Sequence, residues 1–187
     1  QQIYLDNAAT TPVRPEVEEV MQPYFCEKYG NPSGIYKMAS ECRQALETVR
    51  KQIGETLKVS AEEIYFTSGG TESDNWAIKS TAQRLKEKGK HIITSKIEHH
   101  AVLNSCAYLE TQGFEVTYLD VDEWGCVRFD ALQRAIRKDT ILISIMYANN
   151  EVGTIQPIEQ IGKIAKENDI FFHTDAVQAY GQIPIDV

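Results

Sequence analysis

HIITSKIEHHAVLNSCAYLETQGFEVTYL, residues 91–119, reads as strand, helix, strand. His91–Ser95 and Glu115–Leu119 are short, apolar and β-branched, whereas Ala101–Gln112 repeats its apolar residues at three- and four-residue spacing. The same alternation continues on both sides. Strands are expected at Glu63–Thr67, Thr140–Met146 and Ile170–Thr174, and helices at Thr71–Lys88, Asp130–Arg137 and Pro157–Asn168. Apolar strands alternating with amphipathic helices predict an α/β fold, a mainly parallel sheet with flanking helices, whose ligands sit beyond the carboxyl ends of the strands. Further towards the amino terminus, Pro15–Tyr29 and Tyr36–Leu57 read as helices, with Pro15 suited to a first turn, and IYLDNAATTP (3–12) reads as extended and then turned. Lys86–Lys90, with Gly89, is expected to be a helix end and its cap. No repeat, low-complexity tract or linker marks an internal boundary.

Composition narrows the function. The 187 residues are 42% hydrophobic and 25% charged, enough for a substantial core, and 19 Lys and Arg against 27 Asp and Glu give a net charge of −8. A broad basic footprint for nucleic acid or an anionic membrane is therefore excluded, and any bound anion must be gripped locally. No apolar run approaches the ~20 residues of a membrane-spanning helix and the start lacks a secretory pattern, so a cytoplasmic protein is expected. Cys26, Cys42, Cys106 and Cys126 are widely spaced without a C-x-x-C pair, which argues for reduced thiols rather than a zinc site or disulfides.

Four stretches at the expected strand ends carry chemistry. In IYFTSGGTESDN (64–75), Gly69 and Gly70 lead into a helix near Thr71, where free amides favour an anion such as phosphate; the competing reading is a glycine turn with Thr71 as N-cap and Asp74 assisting the dipole. The pattern is neither G-x-G-x-x-G nor a Walker loop. In TSKIEHHAVLN (94–104), Glu98, His99 and His100 lie between strand and helix, where a histidine can stack on an aromatic ligand, move a proton, or simply cap the helix. In ISIMYANNEVGTIQP (143–157), Asn149 and Asn150 offer neutral amides to a phenolate-like oxygen or a carboxylate, or else form a turn. In IFFHTDAVQAYG (170–181), Asp175 and Gln178 follow an apolar run, and a carboxylate at an inner strand end needs a cation or a protonated ring nitrogen. An anion cradle, a stacking ring, amide donors and a strand-end acid together suit pyridoxal 5'-phosphate.

Six ordered motifs, YLDNAATTP (4–12), NPSGIY (31–36), FTSGGTESDN (66–75), ITSKIEHHAVLN (93–104), YANNEVGTIQP (147–157) and HTDAVQAYG (173–181), resemble those of the cysteine desulfurases of the NifS/IscS type. The resemblance spans essentially the whole chain. It implies the aspartate aminotransferase-like, fold type I pyridoxal phosphate large domain, incomplete at the carboxyl end, with residues 1–14 as an arm joining a small domain and residues 15–187 as part of the cofactor-binding domain. It also implies a homodimer that converts L-cysteine to L-alanine and passes sulfur, through an enzyme persulfide, to an iron–sulfur scaffold or another acceptor. By position, Gly70 and Thr71 match the phosphate-binding pair, and His99 the histidine that stacks on the pyridine ring and shuttles protons. Asn150 matches a residue near the phenolic oxygen and the substrate carboxylate, Asp175 the pyridinium partner, and Gln178 a second donor to the phenolic oxygen. Asn31 is implied at the substrate entrance, with a local N-P-S-G turn as the competing reading. His100, Asn149 and His173 receive no direct role.

The departure from the family is at the carboxyl end. Only twelve residues follow Asp175, and no lysine follows Lys166. The family's Schiff-base lysine, its persulfide-forming cysteine loop and its substrate-binding arginine lie further downstream. The chain is therefore expected to be the amino-terminal part of a desulfurase, inactive alone, with a carboxyl-terminal complement chain as a partner. The alternatives are a noncatalytic interaction module, half of a divided enzyme, and another pyridoxal phosphate lyase of the same fold, such as a selenocysteine lyase.

Overall fold

The computed structural model describes residues 3–187, so two residues of the expected 1–14 arm lie outside the described residues. The chain forms two compact units, one running to Phe66 and including Ile185–Val187, the other Thr67–Pro184.

The first unit holds helix α1 (Pro15–Cys26), helix α2 (Lys37–Leu57) and a 3-10 turn, Ala61–Glu63. Pro15 occupies the first turn of α1, where its missing N–H costs nothing. Helix α2 ends at Lys58, in the left-handed conformation at φ 58°, whose N–H donates to the Gly54 carbonyl. Ser60 caps the short turn reciprocally with Glu63, its N–H donating to Glu63 Oε2 at 2.8 Å. This corrects the strand expected at Glu63–Thr67. Glu63 closes a helical turn, and residues 64–67 run on outside the four-stranded sheet; Tyr65 and Phe66 are exposed. Their β-rich composition produces extended backbone, but a strand exists only where another strand takes up its N–H and C=O groups.

The second unit is built on four parallel strands, β1 (His91–Ser95), β2 (Glu115–Leu119), β3 (Thr140–Ser144) and β4 (Phe171–His173), in the order β2-β1-β3-β4. Helices α3 (Gly70–Leu85), α4 (His100–Thr111), α5 (Phe129–Ala135) and α6 (Ile158–Glu167) flank them. One apolar cluster joins Ile78 and Ala82 of α3 and Val102, Cys106 and Leu109 of α4 to Ile92 and Leu142 of the sheet. The other joins Leu132 of α5 and Ile161 and Ala165 of α6 to Ile93, Leu119 and Ile143. Neighbouring strand residues thus feed opposite layers, and β1 and β3 are buried along their whole length, as central parallel strands covered on both faces require. The expected strand ends at Met146 and Thr174 run past the observed ones, yet backbone pairing continues: Ile145 N–H donates to His173 O at 3.1 Å and Tyr147 N–H to Asp175 O at 2.8 Å. Lys86 is the C-cap of the helix end expected here, and the Gly89 N–H also closes it, donating to Leu85 O at 3.1 Å. Helix α3 ends at Leu85 with Lys86 beyond it, and a Cβ at Gly89 would collide with the Asp139 carbonyl, so glycine serves close approach there.

Chain direction reverses between β1 and β3: from β1 the chain goes outward to β2, and from β3 outward to β4. Such a reversal opens a crevice at the carboxyl ends of the two central strands.

Candidate active site

Every expected cofactor residue belongs to the second unit and to a loop at its strand ends or at the start of α3. Helix α3 begins at Gly70 with Gly69 as N-cap and no side chain capping its first amides. Thr71 therefore sits inside the first turn, which corrects its reading as N-cap. Glu72 reaches back to Ser68, its Oε2 accepting from the N–H at 2.6 Å and the hydroxyl at 2.7 Å, and Ser73 Oγ lies 2.7 Å from Thr67 Oγ1. These contacts shape the turn without engaging the Gly70 and Thr71 amides. A Cβ on Gly70 would come within 2.6 Å of Val177 Cγ2, so only glycine lets α3 approach the loop that follows β4. Asp74 does not serve the helix dipole. It is buried, and its Oδ1 lies 3.5 Å from His173 Nε2, while His173 Nδ1 is 2.8 Å from Ser144 Oγ.

His99 is the N-cap of α4, and its Nδ1 accepts from the Ala101 N–H at 3.1 Å. The neutral ring is therefore held as the Nε2–H tautomer, with one donor pointing away from the helix. The ring is exposed and stands edge-on to His100, centroids 6.3 Å apart. Of the readings the sequence leaves open for His99, capping is the one observed.

Asn149 and Asn150 begin the turn after β3, which closes through Gly153 N–H to Asn149 O at 3.1 Å with Gly153 at φ 76°. Buried Asn149 forms the turn: its Oδ1 accepts from the Glu151 and Val152 N–H groups at 2.9 Å each, and its Nδ2 donates to Ile97 O at 2.9 Å. Asn150 is half-buried at the crest. Behind it Gln156, 2% exposed, accepts from Val127 N–H and donates to Gly125 O, anchoring the hairpin.

Asp175 is buried, and its Oδ1 accepts from the Val177 N–H at 2.9 Å. Burial pushes its carboxyl up from the ordinary range, the Val177 N–H opposes this, Asp74 adds to it, and His173 and His99 work against it. No Lys or Arg pairs with Asp175 among the described residues. Gln178 is half-buried in the turn just beyond. Asn31 belongs to the first unit; its Oδ1 accepts from the Ser33 N–H at 3.0 Å, forming the local turn.

Other groups are accounted for elsewhere. Lys96, at the end of β1, pairs with Asp120 at 2.6 Å, and Lys163 and Lys166 are exposed on α6. Burial pushes the Cys106 thiol up to about 12, and Cys42 donates to Lys28 O. No group of three or more His, Cys, Asp or Glu residues suited to a metal ion occurs among the described residues, and no helix there is long and apolar enough to cross a membrane. Asn149 forms the turn that was one of its two readings in the sequence, whereas the ties of Glu98 to Met146 and of Asp74 to His173 have no local signal in the sequence.

An open parallel α/β protein with a switch in strand order between β1 and β3, whose strand-end loops carry a helix start without a side-chain cap, an exposed imidazole and a buried acid, is the class these features define. The aminotransferase class-V family model matches residues 3–187, and the chain belongs to that family. It is 64% identical over 185 residues to the cysteine desulfurase IscS of Methanosarcina thermophila, an alignment covering 99% of this chain and 46% of that protein. Among solved structures, a NifS-like protein superposes with a TM-score of 0.97 at 43% identity, covering 100% of this chain and 52% of the other. SspA in complex with cysteine gives 0.95 at 46% identity, covering 98% and 53%. The chain thus spans about half the length of the relatives it matches, and the expected parallel sheet with flanking helices is the fold it shares with them.

Proposed function

We propose that this chain is the amino-terminal part of a pyridoxal phosphate-dependent cysteine desulfurase, and that it does not turn over alone. The observation that carries the reading is Asp175, a buried acid just past β4 whose environment offers the Val177 N–H and two histidines but no Lys or Arg among the described residues. A protonated pyridine nitrogen supplies that cation, and the remaining donors suit the rest of the cofactor: open amides at the start of α3 for a phosphate, an exposed imidazole for the ring. Bound there, pyridoxal phosphate supplies an electron sink for chemistry at the substrate carbons.

The residues divide the work. Gly70 and Thr71 would hold the phosphate, with Gly70 keeping α3 close to the Asp175 loop. Asp175 keeps a proton on the ring nitrogen. His99 packs on the ring, and because its Nδ1 is committed to the Ala101 N–H, Nε2 is the atom that gives or takes a proton. Asn150 and Gln178 donate to the phenolic oxygen, and Asn150 also receives the substrate carboxylate. In this reading residues 1–14 form an arm of a small domain, and the complete enzyme is a homodimer passing sulfur to an iron–sulfur scaffold or another acceptor. Covalent attachment and sulfur transfer need groups from a carboxyl-terminal complement. Lys96 is engaged by Asp120, and Cys106 has too high a pKa to supply a thiolate at neutral pH.

The test mixes the chain with pyridoxal phosphate and L-cysteine, with and without that complement. Alanine and thiol-bound sulfur are expected only with it. Alanine from the chain alone overturns the claim of incompleteness, and none from the pair overturns the activity. Selenocysteine as a parallel substrate separates a desulfurase from a selenocysteine lyase.

A further inference from the structure

Glu98 sits between Ile97 and His99 in the turn after β1, with 5% of its surface exposed. Its Oε1 is 2.5 Å from Ser95 Oγ, at the end of its own strand. Its two oxygens also accept from the backbone N–H of Met146, at 3.1 and 2.9 Å, just past the end of β3. The side chain therefore crosses the switch point from one central strand to the other. Asn149 crosses it in the opposite direction, donating to Ile97 O while shaping the turn that carries Asn150. The two turns are sewn together twice, and His99 follows the first stitch directly.

A buried acid beside two others, Asp74 and Asp175, is a costly way to tie loops unless it is neutral. Burial, together with those two acids, pushes Glu98 up to about 8 against the hydrogen bonds from Ser95 and Met146. Ser95 Oγ donates to Oε1 and the Met146 N–H to both oxygens; an uncharged glutamine carboxamide keeps the Met146 bond through its carbonyl oxygen and can turn its NH2 to Ser95 Oγ, whose hydroxyl accepts as well as donates.

We propose that Glu98 is a positioning residue, whose side chain locks the turn after β1 to the end of β3 and so sets the His99 ring and the Asn150 turn as one unit. Its effect on turnover rests on the reading of the crevice given above. The test uses Glu98→Gln and Glu98→Ala in the complemented enzyme, read by kcat and KM for L-cysteine, by visible circular dichroism of bound pyridoxal phosphate, and by amide exchange in residues 96–101 and 145–152.

Glu98→Gln is expected to stay within about threefold of the parent in kcat, with its dichroism and exchange. Glu98→Ala is expected to lower kcat on the order of 10²-fold with a smaller change in KM, to weaken the dichroic band, and to speed exchange in both segments together. Glutamine as damaging as alanine overturns the proposal, because charge or proton transfer would then be the role. Alanine with parental kcat, or acceleration in only one segment, overturns it too. If Glu98→Ala fails to fold, parental kcat and dichroism in Glu98→Gln are still required. If the parent neither binds pyridoxal phosphate nor makes alanine, the functional reading falls, and amide exchange alone decides whether the lock exists.

Discussion

Asp175 and Glu98 are both buried acids at the carboxyl ends of strands, yet their surroundings assign them different work. Asp175 has an amide N–H on one oxygen and histidines nearby, whereas Glu98 is enclosed by Ser95 and Met146 with only acids adding to its field. In the complemented enzyme, Asp175→Asn is expected to cut kcat on the order of 10²-fold while cofactor content falls far less, because the ring loses its charge partner only where electrons must flow. Glu98 has a different signature, in stability. Its ordinary value of 4.5 rises to about 8 in the fold, so between those limits the folded chain keeps a proton that the unfolded chain has released. Its contribution is complete below 4.5 and is lost as pH rises towards 8. Asp175 shifts in the same direction. His91 acts oppositely: burial, mainly, holds it below 6.5, so its contribution is present above that value and fades as pH falls. The groups facing Glu98 are Asp74 from α3, Asp175 beyond β4 and Cys106 from α4. Urea unfolding of the parent is therefore expected to show a midpoint that declines from pH 6.5 to pH 8.5, and Glu98→Gln a shallower decline. Equal slopes would mean that Glu98 is not the proton holder.

Between elements, the tightest constraint on the site is the contact of α3 with the loop after β4. Gly70→Ala places a Cβ against Val177 Cγ2, and Val177 is β-branched and slow to yield. A loss of about 1–3 kcal/mol in urea unfolding is expected, largely restored by adding Val177→Ala; additive losses in the double variant would contradict the contact. Most elements were legible in the sequence because β1 and β3, buried on both faces, carry apolar, mainly β-branched centres at Ile92 and Ile93 and at Ile141, Leu142 and Ile143, while the helices between them carry clear three- and four-residue spacing. Glu63–Thr67 misled for a related reason: Tyr65 and Phe66 have strand-like character, but pairing depends on residues distant in the chain, and the Ser60–Glu63 cap claims the first of them for a turn. The site divides the same way. His99, Asp175, Gly70 and Asn150 were readable as chemistry beside strand ends. The clamps were not, because Glu98 and Asn149 find their partners 48 and 52 residues away, a separation at which local pattern carries no information.

For the molecule as a whole, the account requires four loops of one unit to act as a single cradle: the start of α3, the turns after β1 and β3, and the segment after β4. Their mutual ties are on record in Gly70 against Val177, Asn149 to Ile97, Glu98 to Met146, and Tyr147 to Asp175. A ligand with the right shape and charge but no aldehyde isolates this claim from any covalent chemistry, so the decisive measurement is amide exchange of the chain with and without 4'-deoxypyridoxine 5'-phosphate. Saturable slowing in residues 68–72, 96–101, 147–152 and 175–179 together is the predicted result. No slowing at saturating ligand, or slowing confined to other segments, would contradict the account.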